Sequence, residues 1–167
     1  MSKTLPVKTH AVTRVAILTG SSWFGAGYLP KMPGTWGALG AIPLWWWLTT
    51  LFPEPIWFGA AVLVFCALAV LVCIGADRIY ETHDSQKIVI DEVAGVLVAA
   101  IGAPFRWQQV VVVFALFRLF DIWKPGPVKW ADKKVSGGVG VWLDDIIAGL
   151  MACAVVHLVR YLYGGWW

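Results

Sequence analysis

The stretch "PIWFGAAVLVFCALAVLVCIGA", residues 55–76, decides the fold. Its 22 residues carry no charge, and as a helix they would extend about 33 Å, enough to cross a hydrocarbon core of roughly 30 Å. The rest of the chain agrees. Of 167 residues, 59% are hydrophobic and 14% charged, with a mean hydropathy of +0.72. That is too apolar for a soluble domain. Net charge is only +3, and no nucleic-acid partner is expected. The sequence therefore reads as a polytopic, all-α integral membrane bundle in contact with the lipid bilayer.

Five membrane helices are predicted, at 39–52, 55–76, 89–103, 108–122 and 143–163. The first, third and fourth are short for a span, which implies tilt or partial insertion. Tryptophans such as Trp45, Trp57, Trp107, Trp123 and Trp142 gather near predicted ends, as an interfacial belt does. Residues 1–34 read as an N-terminal interfacial or loop segment, with a short interfacial helix at 9–19. No cleavable signal peptide is predicted, because the first apolar stretch is short and runs into a Gly/Pro-rich segment. With no internal repeat or linker, residues 1–167 read as one domain. Cys66 and Cys73 stand about 10 Å apart along one helix, too far for a disulfide, and together with Cys153 they read as packing.

Five spans divide the loops between two sides. All of the thirteen Lys and Arg except Arg106 and Arg160 fall on one of them, which the positive-inside rule makes cytoplasmic, with the C-terminus outside. The acids follow, although that rule does not require it. Of ten carboxylates only Glu54 lies opposite.

The stretch "SQKIVIDEVAGVLVAAIGA", residues 85–103, sets Asp91 and Glu92 at the start of one predicted helix. Asp144 and Asp145 enter another, and Asp121 ends a third. Acids at helix N-termini are favoured by the macrodipole, so capping alone could explain the two pairs. Asp121 sits at a C-terminus, where the dipole disfavours it. Arg118 and Lys124, three residues to either side, are candidates to compensate it, and a metal ion is another. Hard cations such as Mg²⁺ take oxygen ligands from one or two carboxylates plus substrate phosphate. The scarcity of nearby His and Cys argues against Zn²⁺. Neighbouring residues point about 100° apart on a helix, so in each acidic pair one member should face the site and the other support it.

Donors suited to phosphate surround these acids. "LPKMPGTWG", residues 29–37, puts Gly34 and Thr35 at a helix start whose N–H groups can cradle an anion. "FDIWKPGP", residues 120–127, offers Lys124 before a rigid proline, and "SGGVG", residues 136–140, offers a flexible turn. The phosphate-binding set is thus Gly34, Thr35, Arg118 and Lys124. His83 and Asp84, in "ETHDSQ", are candidates for proton transfer near neutral pH. His157 reads as packing.

The motifs "PGTWG", "HDSQKIVIDEVAG", "FRLFDIWKPGPV" and "GGVGVWLDDIIAG", in this order over residues 25–149, resemble the phosphatidylglycerophosphatase A family. The resemblance implies a Mg²⁺-dependent phosphatase of the bacterial inner membrane that converts phosphatidylglycerophosphate to phosphatidylglycerol. It carries the family's acidic motif positions onto Asp84, Asp91, Glu92, Asp121, Asp144 and Asp145, which are the expected Mg²⁺ ligands. Ala38 stands where the family often has a hydroxyl residue, and receives no catalytic role.

The expected chemistry is metal-assisted hydrolysis of a terminal phosphomonoester at the cytoplasmic face, with His83, Asp84 and Lys124 as catalytic side chains. An aspartyl-phosphate intermediate is the alternative route. A cation- or proton-coupled transporter is the alternative class, since acids at helix ends also mark ion pathways. Against it stand the absence of a mid-membrane acid and of an inverted repeat.

Overall fold

The apolar stretch that opens the reading forms one long helix, Pro55–Tyr80, in a computed structural model that describes residues 11–80 and 85–163. Every regular element among those residues is helical. In chain order they are α1 (Ala11–Ser21), α2 (Pro33–Leu51), α3 (Pro55–Tyr80), α4 (Ile90–Ala99), α5 (Trp107–Trp123), α6 (Gly126–Lys134) and α7 (Gly137–Leu162), with a short 3-10 turn at Ala26–Tyr28.

Among the described residues two helices, α3 and α7, are long and apolar enough to cross a membrane by length and composition, so the expected count of about five is not confirmed. Leu63, Val64, Leu68 and Leu71 form an exposed apolar face on α3, as do Leu150 and Leu158 on α7. Continuous apolar surface of this kind belongs against lipid. α2 is diluted by Pro33, Pro43, three glycines and three threonines, and α5 has only 17 residues, with charges near its end.

The predicted third span is the clearest departure. Helix α4 has ten residues, about 15 Å of rise, and all of them but Glu92 are buried. It packs against α2, α3, α5 and α7 rather than facing lipid. A helix apolar on every side belongs inside a protein as readily as inside a bilayer. Two glycines let it approach α7: a Cβ on Gly149 would collide with the Gly95 carbonyl, and one on Gly95 would sit 2.9 Å from the Asp145 carbonyl.

Beyond Ala99 the chain turns through Gly102, at φ +74°, to Pro104. Carbonyls at such an end need partners when no water reaches them. His157 Nε2 lies 2.9 Å from the Ile101 carbonyl, and Arg160 donates to Gly102. His157 is exposed and bonds this carbonyl, which replaces the packing role expected for it.

Helix α3 runs antiparallel to α7, with Gly138 against Cys73 and Ile74. The N-termini of α2, α4 and α7 and the C-terminus of α5 consequently meet at one end of the bundle. The helix expected at 9–19 is present as α1, packed along α3 with Ile17 against Gly75. The predicted loop 123–142 contains a helix that the sequence reading lacked, α6.

Candidate active site

Where these helix ends meet, a cavity of about 250 Å³ opens, lined by Gly34, Asp91, Glu92, Arg118, Asp121 and Lys124 together with Asp132, Asp144 and Asp145. Most of the acids and phosphate donors expected from sequence therefore share one hollow. His83 and Asp84 lie outside the described residues.

Three of the acids converge. Asp91, Glu92 and Asp145 each bring a carboxylate oxygen within 4.8 Å of the other two. Asp91 is 3% exposed and Asp145 5%. Among the described residues none of the three is held in an ion pair, and Glu92 Oε2 is buried with no hydrogen-bond partner. At that separation two ionised carboxylates repel by roughly 3.5 kcal/mol even at an effective dielectric of about 20. Protons or a cation must balance them. Burial pushes the Asp91 carboxyl up to about 6, and burial together with the Asp91 charge holds Glu92 well above the usual carboxylate range. An all-oxygen donor set with an unsatisfied buried acceptor suits a hard divalent cation.

The other acids hold the cavity's cations. Arg118 Nη1 donates to Asp121 Oδ2 at 2.5 Å, one turn along α5, and supplies the positive partner that Asp121 needs at a helix C-terminus. Lys124 does not pair with Asp121. It caps α5 in the left-handed region, at φ +46°, which turns its side chain across to Asp144 on α7, at 2.7 Å, and to Asp132 on α6. Burial opposes the Lys124 charge, but the two carboxylates outweigh it and raise its pKa. The Asp144/Asp145 pair divides as expected, one acid supporting and one facing the cluster. The Asp91/Glu92 pair does not: both join the cluster, while Asp91 Oδ1 also accepts the Glu92 N–H at 3.1 Å.

The start of α2 departs from the simple anion cradle. Pro33 has no N–H, and the Thr35 N–H is spent on the Met32 carbonyl at 2.9 Å, which leaves Gly34 as the backbone donor of the pair. Thr35 acts through its hydroxyl instead, accepting from Arg118 Nη2 at 3.3 Å. Gly34 has a steric role as well. A Cβ there would overlap Glu92 Oε1, so glycine lets the Glu92 carboxylate keep this position against α2.

Sequence reasoning missed Asp132 and Gln86 in the lining. Asp132 reads as an ordinary acid among lysines in "VKWADKK" until α6 exists to aim it at Lys124. No local signal marks Gln86.

Comparison with known proteins bears on this site. The family model described as phosphatidylglycerophosphatase A matches residues 19–160. Phosphatidylglycerophosphatase A of Escherichia coli (strain K12) is 36% identical over 139 residues, covering 83% of this chain and 80% of that protein. Its Haemophilus influenzae namesake is 36% identical over 143 residues, with 83% and 85% covered. A Bacteroides thetaiotaomicron protein, provisionally named a phosphatidylinositol-3-phosphatase, is 35% identical over 153 residues, with 89% and 95% covered. No solved structure matches the chain.

Proposed function

Because the chain belongs to the phosphatidylglycerophosphatase A family, we propose that it hydrolyses the terminal phosphomonoester of phosphatidylglycerophosphate, with Mg²⁺, at the cytoplasmic face of a bacterial inner membrane. The observation that carries this reading is the convergence of three carboxylate oxygens within 4.8 Å, in the cavity that also holds Arg118 and Lys124.

Asp91, Glu92 and Asp145 would hold the ion, with Asp84 a further ligand on the family resemblance. When bound, Mg²⁺ supplies charge neutralisation for the phosphate and acidifies a water. Arg118, steered by Asp121 and Thr35, presents its remaining N–H groups to the phosphate oxygens. Lys124 has three N–H donors, two of them spent on Asp132 and Asp144, so one is left for the same oxygens. Asp121 and Asp144 thereby act as orienting groups for the two cations, and contribute to the metal through that frame. Water attacks phosphorus and gives up a proton, the bond from phosphorus to the glycerol oxygen breaks, and the leaving oxygen takes a proton. His83 and Asp84 are proposed to handle that proton. The basic residues at the cavity end of the bundle support a cytoplasmic site.

Phosphate release from phosphatidylglycerophosphate in mixed micelles, followed during Mg²⁺ titration and in EDTA, tests the proposal. Release should require the ion, and undiminished turnover in metal-free detergent would overturn it. The Bacteroides relative's name gives a second headgroup to compare. We expect phosphatidylglycerophosphate to be preferred over phosphatidylinositol 3-phosphate, and the reverse preference would reassign the headgroup but not the chemistry. Cation transport is not favoured, since the named relatives are phosphatases.

A further inference from the structure

Helix α6, Gly126–Lys134, has two unlike faces. Val128 and Ala131 are fully buried and fix it to the body, while Asp132 on one flank reaches Lys124. At 100° per residue, Lys129, Trp130 and Lys133 fall on the side opposite Val128 and Ala131, with Lys134 on the flank away from Asp132. Trp130 is 57% exposed, the three lysines are exposed, and among the described residues none of the three is paired with an acid. Beside them, at the end of α5, Ile122 and Trp123 are exposed at 65% and 70%.

The position of this face names its occupant. Only Val135 and Ser136 separate α6 from α7, one of the two helices able to cross a membrane, so α6 lies at the depth where a span leaves the lipid. A short helix that combines lysines with tryptophan there suits the headgroup layer, and its charge is complementary to anionic lipid. We propose that the outward face of α6 docks anionic phospholipid headgroups at the rim of the cavity. The proposal rests on the reading of this chain as an enzyme of anionic lipid. Since Asp132 on the same helix lines the cavity, such a surface would enrich substrate beside the site that consumes it.

The test compares the parent protein with the triple variant Lys129→Gln, Lys133→Gln, Lys134→Gln in phosphatidylcholine nanodiscs containing increasing phosphatidylserine. Energy transfer from tryptophan to a trace of pyrene-labelled phosphatidylserine, set against pyrene-labelled phosphatidylcholine, reads local enrichment without reference to activity. The parent should enrich the anionic probe, and the glutamine variant and high salt should each abolish that preference. A triple arginine variant should keep it. Apparent KM for bilayer substrate should rise about tenfold in the glutamine variant, with turnover of a soluble short-chain substrate unchanged. Equal enrichment in parent and glutamine variant, or its loss in the arginine variant, overturns the proposal. Enrichment with no turnover on any substrate would instead sink the phosphatase reading and leave the docking surface standing.

Discussion

Replacing Asp91 by Asn should move stability and activity in opposite directions, an outcome that a capping role cannot produce. Asp91 is buried, and its carboxyl is raised from 3.8 to about 6, so in metal-free protein at neutral pH its ionised form opposes folding by about 3 kcal/mol. The sign follows from the direction of the shift. Below about pH 4 the acid is protonated in both folded and unfolded chains and opposes nothing; as pH climbs through about 6, the penalty develops in full. Asn keeps the oxygen that accepts the Glu92 N–H and removes the charge. In EDTA at pH 7, D91N should therefore melt several degrees higher than the parent, and the difference should vanish near pH 4. With Mg²⁺ the order reverses, because the ion stabilises the parent and binds the variant poorly, while phosphate release falls by orders of magnitude. Thermal unfolding in detergent with EDTA or Mg²⁺, alongside phosphate release, reads both effects. A lower melting temperature for D91N in EDTA, or near-normal turnover, would refute the reasoning.

The same cluster predicts that apparent Mg²⁺ affinity strengthens as pH rises through about 6, since protons on Asp91 and Glu92 must leave before an ion binds; a pH-independent dissociation constant by calorimetry would contradict this. Gly34→Ala should leave the melting temperature nearly unchanged, because the flexible Glu92 carboxylate can swing away from the new Cβ, yet turnover should fall about a hundredfold. Thr35→Val removes the hydroxyl held by Arg118 and should raise KM about fivefold, with Thr35→Ser restoring it; equal KM in all three proteins would show that Arg118 needs no such support. An impermeant thiol reagent added to spheroplasts should label a cysteine placed at Glu54 and spare one placed at Lys133, and the converse pattern would invert the assigned topology.

Patterns that depend on neighbouring residues were legible in the sequence. The long apolar run of α3, the pairing of Arg118 with Asp121 three residues apart, and the division between Asp144 and Asp145 all follow from helical spacing. What escaped depends on the path of the chain between elements. Lys124 is three residues from Asp121, yet a left-handed cap at the end of α5 sends it to α6 and α7. Thr35 reads as an anion-binding N–H donor, and only the turn at Met32 shows that this N–H is already used.

The misreading of α4 has the most to say about the site. Hydropathy cannot separate a helix surrounded by lipid from one surrounded by other helices, because both are apolar on every side. Ten residues are too few to cross a bilayer, so α4 begins at the cavity and ends inside the bundle, where His157 and Arg160 take up the Ile101 and Gly102 carbonyls of the turn that follows it. Such a helix solves a problem that a full span would not. Asp91 and Glu92 can sit at its first turn, favoured by the dipole, while the apolar length behind them is locked by Gly95 and Gly149 against the helix that carries Asp145. The backbones that carry three mutually repelling acids are thus held together by packing, which leaves protons or a cation to balance the charges of the carboxylates themselves.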